Sequence, residues 1–158
     1  MKLFTDAAEY ALRAVVWLAD HPGRGHTVQA IADGTRTKRG YLVKVLQALA
    51  RADIVRAQRG VGGGVVLARE PGAITILSVI NAVDPVSRIT SCPLGLPAHG
   101  ARLCSLHRRV DQALGMIERE FAETTILELL EEEGASRPLC EVKKPARGGV
   151  KTTLRVVR

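Results

Sequence analysis

Between residues 6 and 19 the apolar side chains Ala7, Tyr10, Ala11, Ala14, Val15, Trp17 and Leu18 return every three or four positions. That period gathers them on one face of a helix and leaves the other face to water. His21-Pro22-Gly23 ends the helix, because proline cannot continue the hydrogen-bond ladder and glycine accepts the turn. A second, shorter helix is predicted over 28–33, with Thr27 as its cap, Val28, Ile31 and Ala32 as its apolar face and Gly34 as its terminator. After the turn Thr35-Arg36-Thr37, in which either threonine can cap, residues 38–52 form a third helix. It puts Leu42, Val45, Leu46 and Leu49 on one side and Arg39, Lys44 and Gln47 on the other.

The pattern then changes. Residues 54–59 and 65–68 read as two strands joined by Gly60-Val61-Gly62-Gly63-Gly64, a loop built of the residue that tolerates positive φ. Thr75 opens another apolar helix through Ile76, Leu77, Val79, Ile80 and Val83, which Asp84-Pro85 closes. Residues 86–103 show no periodicity, and loops of such length in compact domains are usually functional or disordered. Beyond them Leu106, Val110, Ala113, Leu114, Ile117 and Phe121 repeat at helical spacing over about five turns. A helix this long near the end of a small domain commonly packs against a second chain. Thr125 and Glu128 form a capping-box pattern that starts a short helix running to about residue 133. The segment 134–158, rich in Gly, Pro, Lys and Arg, reads as a mobile basic tail.

With 158 residues the chain has the length of about one domain, and no apolar run approaches the roughly 20 residues that span a bilayer. Asp6 and Glu9 stand where a secretory signal would be basic and then purely apolar, so a cytoplasmic location is expected. Three cysteines cannot all pair within one chain, and a reducing compartment leaves thiols for metal or redox chemistry. The net charge of +7 is unevenly spread. Residues 1–69 hold 11 Lys/Arg against 5 Asp/Glu, residues 70–133 hold 5 against 10, and residues 134–158 hold 7 against 1. A basic front and an acidic middle suit a protein whose front meets a polyanion and whose middle meets another protein.

Three helices followed by a hairpin is the order of a winged helix-turn-helix, whose third helix enters the major groove. The expected fold is mainly α with a small β-hairpin, completed by a long C-terminal dimerisation helix. Residues 24–59 carry 8 basic and 2 acidic side chains, which supplies positive charge from both helix and hairpin to the phosphates beside a groove. Arg36, Thr37, Lys38, Arg39, Tyr41 and Lys44 are the candidate contacts of the third helix and the turn before it. Arg56 and Arg59 flank the glycine loop, where an arginine can enter a narrow minor groove. That loop is no nucleotide cradle, because neither Gly-Lys-Ser/Thr nor a helix follows it.

These residues resemble the Rrf-two family of winged helix-turn-helix transcriptional regulators, of the IscR and NsrR types. The resemblance rests on Tyr10-Ala11-Leu12-Arg13-Ala14, Ile31-Ala32, Tyr41-Leu42 with Leu46 and Leu49, Arg59-Gly60 through Gly62-Gly63-Gly64, and Ile74-Thr75 with Val79-Ile80. With the long loop and the helix after it, the similarity extends over about 130 residues of the chain. It implies a homodimer whose long helices cross and whose recognition helices and wings read the halves of a near-palindromic operator; repression is the expected mode, with activation left open. The domain reading is 1–83 for DNA binding, 84–104 for a cysteine-containing sensor loop, 105–133 for dimerisation and 134–158 for the tail.

Within 16 residues, 92–107, the chain places Cys92, His99, Cys104 and His107, two thiols and two imidazoles that suit an iron-sulfur cluster or zinc. Cluster-binding relatives commonly use three cysteines here with a histidine or an N-terminal carboxylate from the partner chain. This sequence keeps Cys92, Cys104 and His107 but has Ala98 where the middle cysteine is expected, and His99 or Glu9 can complete the set. A two-iron two-sulfur cluster, zinc, thiol redox sensing and no cofactor all stay open. Cys140 reads as an unligated thiol or a redox partner for the loop. The sequence has no nucleophile triad, general-base pair or nucleotide motif, so no enzyme activity, small-molecule substrate or membrane partner is expected. The rival readings are a cluster carrier and a winged-helix adaptor for other proteins.

Overall fold

The computed structural model describes residues 4–95, 102–132 and 138–139. It is mainly helical with one two-stranded antiparallel hairpin, the architecture expected from the sequence. Helix α1 (Asp6–Asp20) is capped by Thr5, whose hydroxyl accepts from the Ala8 amide, and it buries Ala8, Ala11, Ala14, Val15, Val16 and Leu18. Helix α2 (Val28–Thr35) is capped by Thr27, which accepts from the Ala30 amide at 3.1 Å. Here the structure corrects the expected end. Gly34 lies inside α2, and the helix closes at Arg36, which takes the left-handed conformation at φ 53°. The glycine serves packing instead, since a Cβ at position 34 would collide with the indole of Trp17 on α1.

Helix α3 (Arg39–Arg51) is packed through Leu42, Val45, Leu46 and Leu49. Neither threonine of the preceding turn caps it. Both are buried, the Thr35 hydroxyl donates to the Ile31 carbonyl at 2.7 Å, and the two hydroxyls are 2.8 Å apart. The cap position falls to Lys38, which contributes its backbone carbonyl and makes no side-chain capping bond.

Strands β1 (Val55–Gln58) and β2 (Gly64–Leu67) pair in a register running from Val55 opposite Leu67 to Gln58 opposite Gly64. The turn after α1 joins them. His26 donates to the Val65 carbonyl at 3.0 Å and its own carbonyl accepts from Val65 at 2.8 Å, so the hairpin is bridged to the helical unit. Gly64, at φ 148°, sits so close to the His26 backbone that no Cβ fits there.

A 3-10 turn at Pro71–Ala73 leads to α4 (Ile76–Asn81), capped by Thr75. The long helix α5 (Ser105–Glu123) and the short α6 (Ile126–Glu131) complete the described chain. The capping box of α6 forms as its sequence predicts, between Thr125 and Glu128. The sequence did not foretell where α6 goes. Ile126 is fully buried in the same core cluster as Ala11, Val15, Leu42 and Leu49, and its amide donates to the Ile74 carbonyl at 2.9 Å. Ile76 in turn donates to Thr124 at 3.0 Å, so the chain returns to the three-helix core after α5.

Candidate nucleic-acid interface

Burying the Leu42, Val45, Leu46 and Leu49 face of α3 turns its remaining face outward. On that side Lys38, Arg39, Tyr41, Val43, Lys44 and Gln47 are exposed, and Gly40 has open space around it. Arg36 is exposed at the left-handed end of α2. Arg56 and Arg59 are exposed on β1 and at the start of the glycine loop, whose Val61 is fully open to solvent. Thr37 differs from the other sequence-named positions. It is buried, and its hydroxyl serves the turn beside Thr35, so it shapes the approach to α3 from inside.

Two features of this face were not legible in advance. Val43, an apolar side chain on the exposed face, was missed because a lone exposed valine breaks no period. Arg13 was missed as a support. It pairs with Glu9, donates to the Thr35 carbonyl at 3.4 Å and lies over the Tyr10 ring, which meets Tyr41 nearly at right angles with 5.6 Å between centroids. The chain Glu9, Arg13, Tyr10 and Tyr41 thereby ties α1 to the start of α3. The four-residue spacing of Glu9 and Arg13 was the available signal.

The cysteine segment is anchored to α5 by charge. Arg88 grips Asp111 with two hydrogen bonds of 2.7 and 2.6 Å, reaches Glu118 at 3.5 Å and lies across Gly115, where any Cβ would displace it. The Ile89 amide also donates to Asp111 at 2.9 Å. The Arg88 hydrogen bond holds the Asp111 carboxyl below its usual value; partial desolvation opposes that, and the Ile89 amide reinforces it. Cys92 follows, buried, and its carbonyl accepts from the Gly95 amide in a tight turn.

Cys104 occupies the cap position of α5, and its Sγ lies 3.4 Å from Nδ1 of His107. Among the described residues, that pair is the part of the expected ligand set that comes together. Its sulfur and nitrogen suit iron or zinc. Among the described residues, no group of three His, Cys, Asp or Glu side chains is placed to hold a metal ion, so Cys92 does not complete the pair. Glu9 is engaged by Arg13, and His99, Ala98, Cys140 and the tail lie outside the described residues. No described helix is long and apolar enough to cross a membrane.

On α5 the described chain buries only Gly115, and Leu106, Val110 and Met116 are exposed.

Residues 4–132 match the model of a protein family, Rrf2, described as iron-dependent transcriptional regulator. Among solved structures, the global cysteine regulator CymR (YrzC) of B. subtilis superposes with a TM-score of 0.67 at 24% identity, over 82% of this chain and 96% of that one. IscR of T. potens gives 0.66 at 23%, over 82% and 86% of the two chains. The oxidized form of Staphylococcus aureus CymR gives 0.66 at 21%, over 85% and 100%. At these identities the structures establish a shared fold.

Proposed function

Because the chain belongs to the Rrf2 family of DNA-binding transcriptional regulators rather than to a family of enzymes, we propose that it is a dimeric, operator-binding repressor that works in the cytoplasm and reads duplex DNA with α3 and its wing. The observation that carries this reading is the exposed face of Lys38, Arg39, Tyr41, Val43 and Lys44, set beside a hairpin that presents Arg56 and Arg59. Arginine and lysine there supply phosphate contacts and bidentate contacts to guanine, and Val43 offers an apolar surface to a thymine methyl group. A dimer places two such faces about one helical turn of DNA apart. The seam we propose is the exposed Leu106, Val110 and Met116 of α5, which have nothing to cover them within the described residues.

The input of this regulator is proposed to be the segment 92–107. Cys104 and His107 would supply two donors of an iron-sulfur or zinc site; Cys92, which does not join that pair here, would have to be carried to it, with His99 as the other candidate. A metal or cluster there would add a conformational constraint between the segment and α5. The chain's own connections account for transmission: Arg88, Asp111 and Ile89 fasten the segment to α5, and the end of α5 passes through Thr124 and Ile126 into the core that carries α3. Oxidation of Cys104 is the second reading, favoured by its contact with His107 at the start of α5.

Binding of fluorescent duplex fragments, followed against salt, tests the DNA reading. Affinity should fall steeply with salt, by about 0.9 in log–log slope for each phosphate neutralised. Lys44→Ala and Arg39→Ala should weaken binding, whereas a monomer indifferent to duplex DNA at low ionic strength would refute the reading. Charge reversal at Lys38 and Arg39 that spares function would favour the adaptor. Anaerobic purification with an absorption spectrum and iron and zinc analysis decides the input. A coloured protein supports the cluster, and a colourless, metal-free one leaves thiol chemistry.

A further inference from the structure

A cavity of about 690 Å³ opens between the turn after α1, the hairpin and the segment 68–73. Three arginines line it, Arg24, Arg56 and Arg69, against one acidic residue, Glu70. The side chains of Arg24 and Arg56 have no hydrogen bond or ion pair with any described residue. Arg69 is held by neutral acceptors, the Asp53 carbonyl at 3.0 Å and the Ala73 carbonyl at 3.5 Å, which fix its position and leave its charge uncompensated. Pro22 and Val66 give the cavity apolar walls, and His21 and His26 lie in its lining.

Three cations gathered around one concavity repel one another unless an anion is shared between them. The planar fork of arginine matches a phosphate group with paired hydrogen bonds, and apolar walls beside it strengthen the attraction by excluding water. The cavity is also lined by both strands of the hairpin and by the turn that bridges to it through His26. An anion held there would touch both strands of the hairpin and the turn that bridges to them.

We propose that this cavity is a phosphate-binding site distinct from the α3 face, with Arg24 and Arg69 as binding residues not otherwise assigned and Arg56 shared with the wing. The phosphate group comes either from the duplex backbone beside the wing or from a small phosphorylated molecule. The first source rests on the DNA-binding reading above, and the second does not.

The test uses the full chain in two arms. In the first, sodium pyrophosphate is titrated against sodium chloride of matched ionic strength by calorimetry, with Trp17 emission as a local reporter, since its ring stacks on His21 at 4.2 Å. Saturable binding that changes Trp17 emission, weakens at least about tenfold in Arg24→Gln and is unaffected by Lys44→Gln supports the site with a free phosphate as its ligand. In the second arm, Arg24→Gln should reduce the salt dependence of duplex binding by about one phosphate's worth of slope if the backbone is the source. Arg24→Lys should recover part of either effect. No pyrophosphate binding together with an unchanged slope overturns the proposal. A protein that ignores DNA but binds pyrophosphate would sink the regulator reading and leave this site standing.

Discussion

Replacing Ile126 by alanine should destabilise the whole unit formed by α1 to α4 and the hairpin, although the residue lies more than 40 positions beyond the last strand and helix of that unit in the chain. Ile126 is fully buried in the core cluster to which α1 and α3 contribute, so its side chain has no water to retreat into. The substitution removes three carbons, worth roughly 2.4 kcal/mol at about 0.8 kcal/mol for each buried methylene. The cavity left behind adds to this, because the backbone bonds from Ile126 to Ile74 and from Ile76 to Thr124 hold α6 in place and limit collapse. A total of about 2–5 kcal/mol is expected. Urea unfolding at fixed protein concentration, followed by the emission of Trp17 on α1, reads this directly. With a slope of about 1–3 kcal/mol per molar urea, the midpoint should drop by about 1 M or more. Glu131→Ala, at an exposed position of the same helix, should move it within about 0.5 kcal/mol. If Ile126→Ala shifts the midpoint no more than Glu131→Ala does, α6 is not part of the core and the reasoning fails.

Gly34→Ala should cost about 1–3 kcal/mol by forcing the Trp17 indole aside, and a shift in Trp17 emission in the folded protein would accompany it; a neutral variant with unchanged emission would contradict the packing role. Thr125→Ala removes the capping hydroxyl of α6 and should cost about 1 kcal/mol in the same urea assay. The Asp111 carboxyl is held below its ordinary value, so its contribution is fully present above the unfolded-state value and is lost as pH falls through the folded one. Hydrogen exchange at the Ile89 amide, corrected for intrinsic rate, should therefore stay protected at neutral pH and open in acid, and Asp111→Asn should lose part of that protection at neutral pH.

The helices and the hairpin were legible because each carries a local signal, the apolar period of α1 and α3 or the threonines before α2, α4 and α6. What escaped was decided across the chain. Gly34 looked like a terminator because glycine ends helices by its own conformation, whereas here the decisive neighbour is Trp17, seventeen positions earlier. Thr37 looked like a surface residue because caps are exposed, and only the fold reveals that Thr35 takes it inward. The exposed basic side chains of the candidate interface needed no such knowledge, since charge and helical period already placed them. The cysteine segment was readable as chemistry but not as geometry: spacing suggested one cluster of donors, and the described residues join Cys104 to His107 alone.

The bridge between His26 and Val65 has a mechanical consequence. A hairpin fastened to the turn between the first two helices is a bracket with two attachment points, and it cannot swing on its own stem. Substitutions at the tip can then change the surface the hairpin presents while the bracket keeps its angle. Any displacement of the hairpin has to carry the helical unit along with it, so α3 and the hairpin move as a single rigid tool.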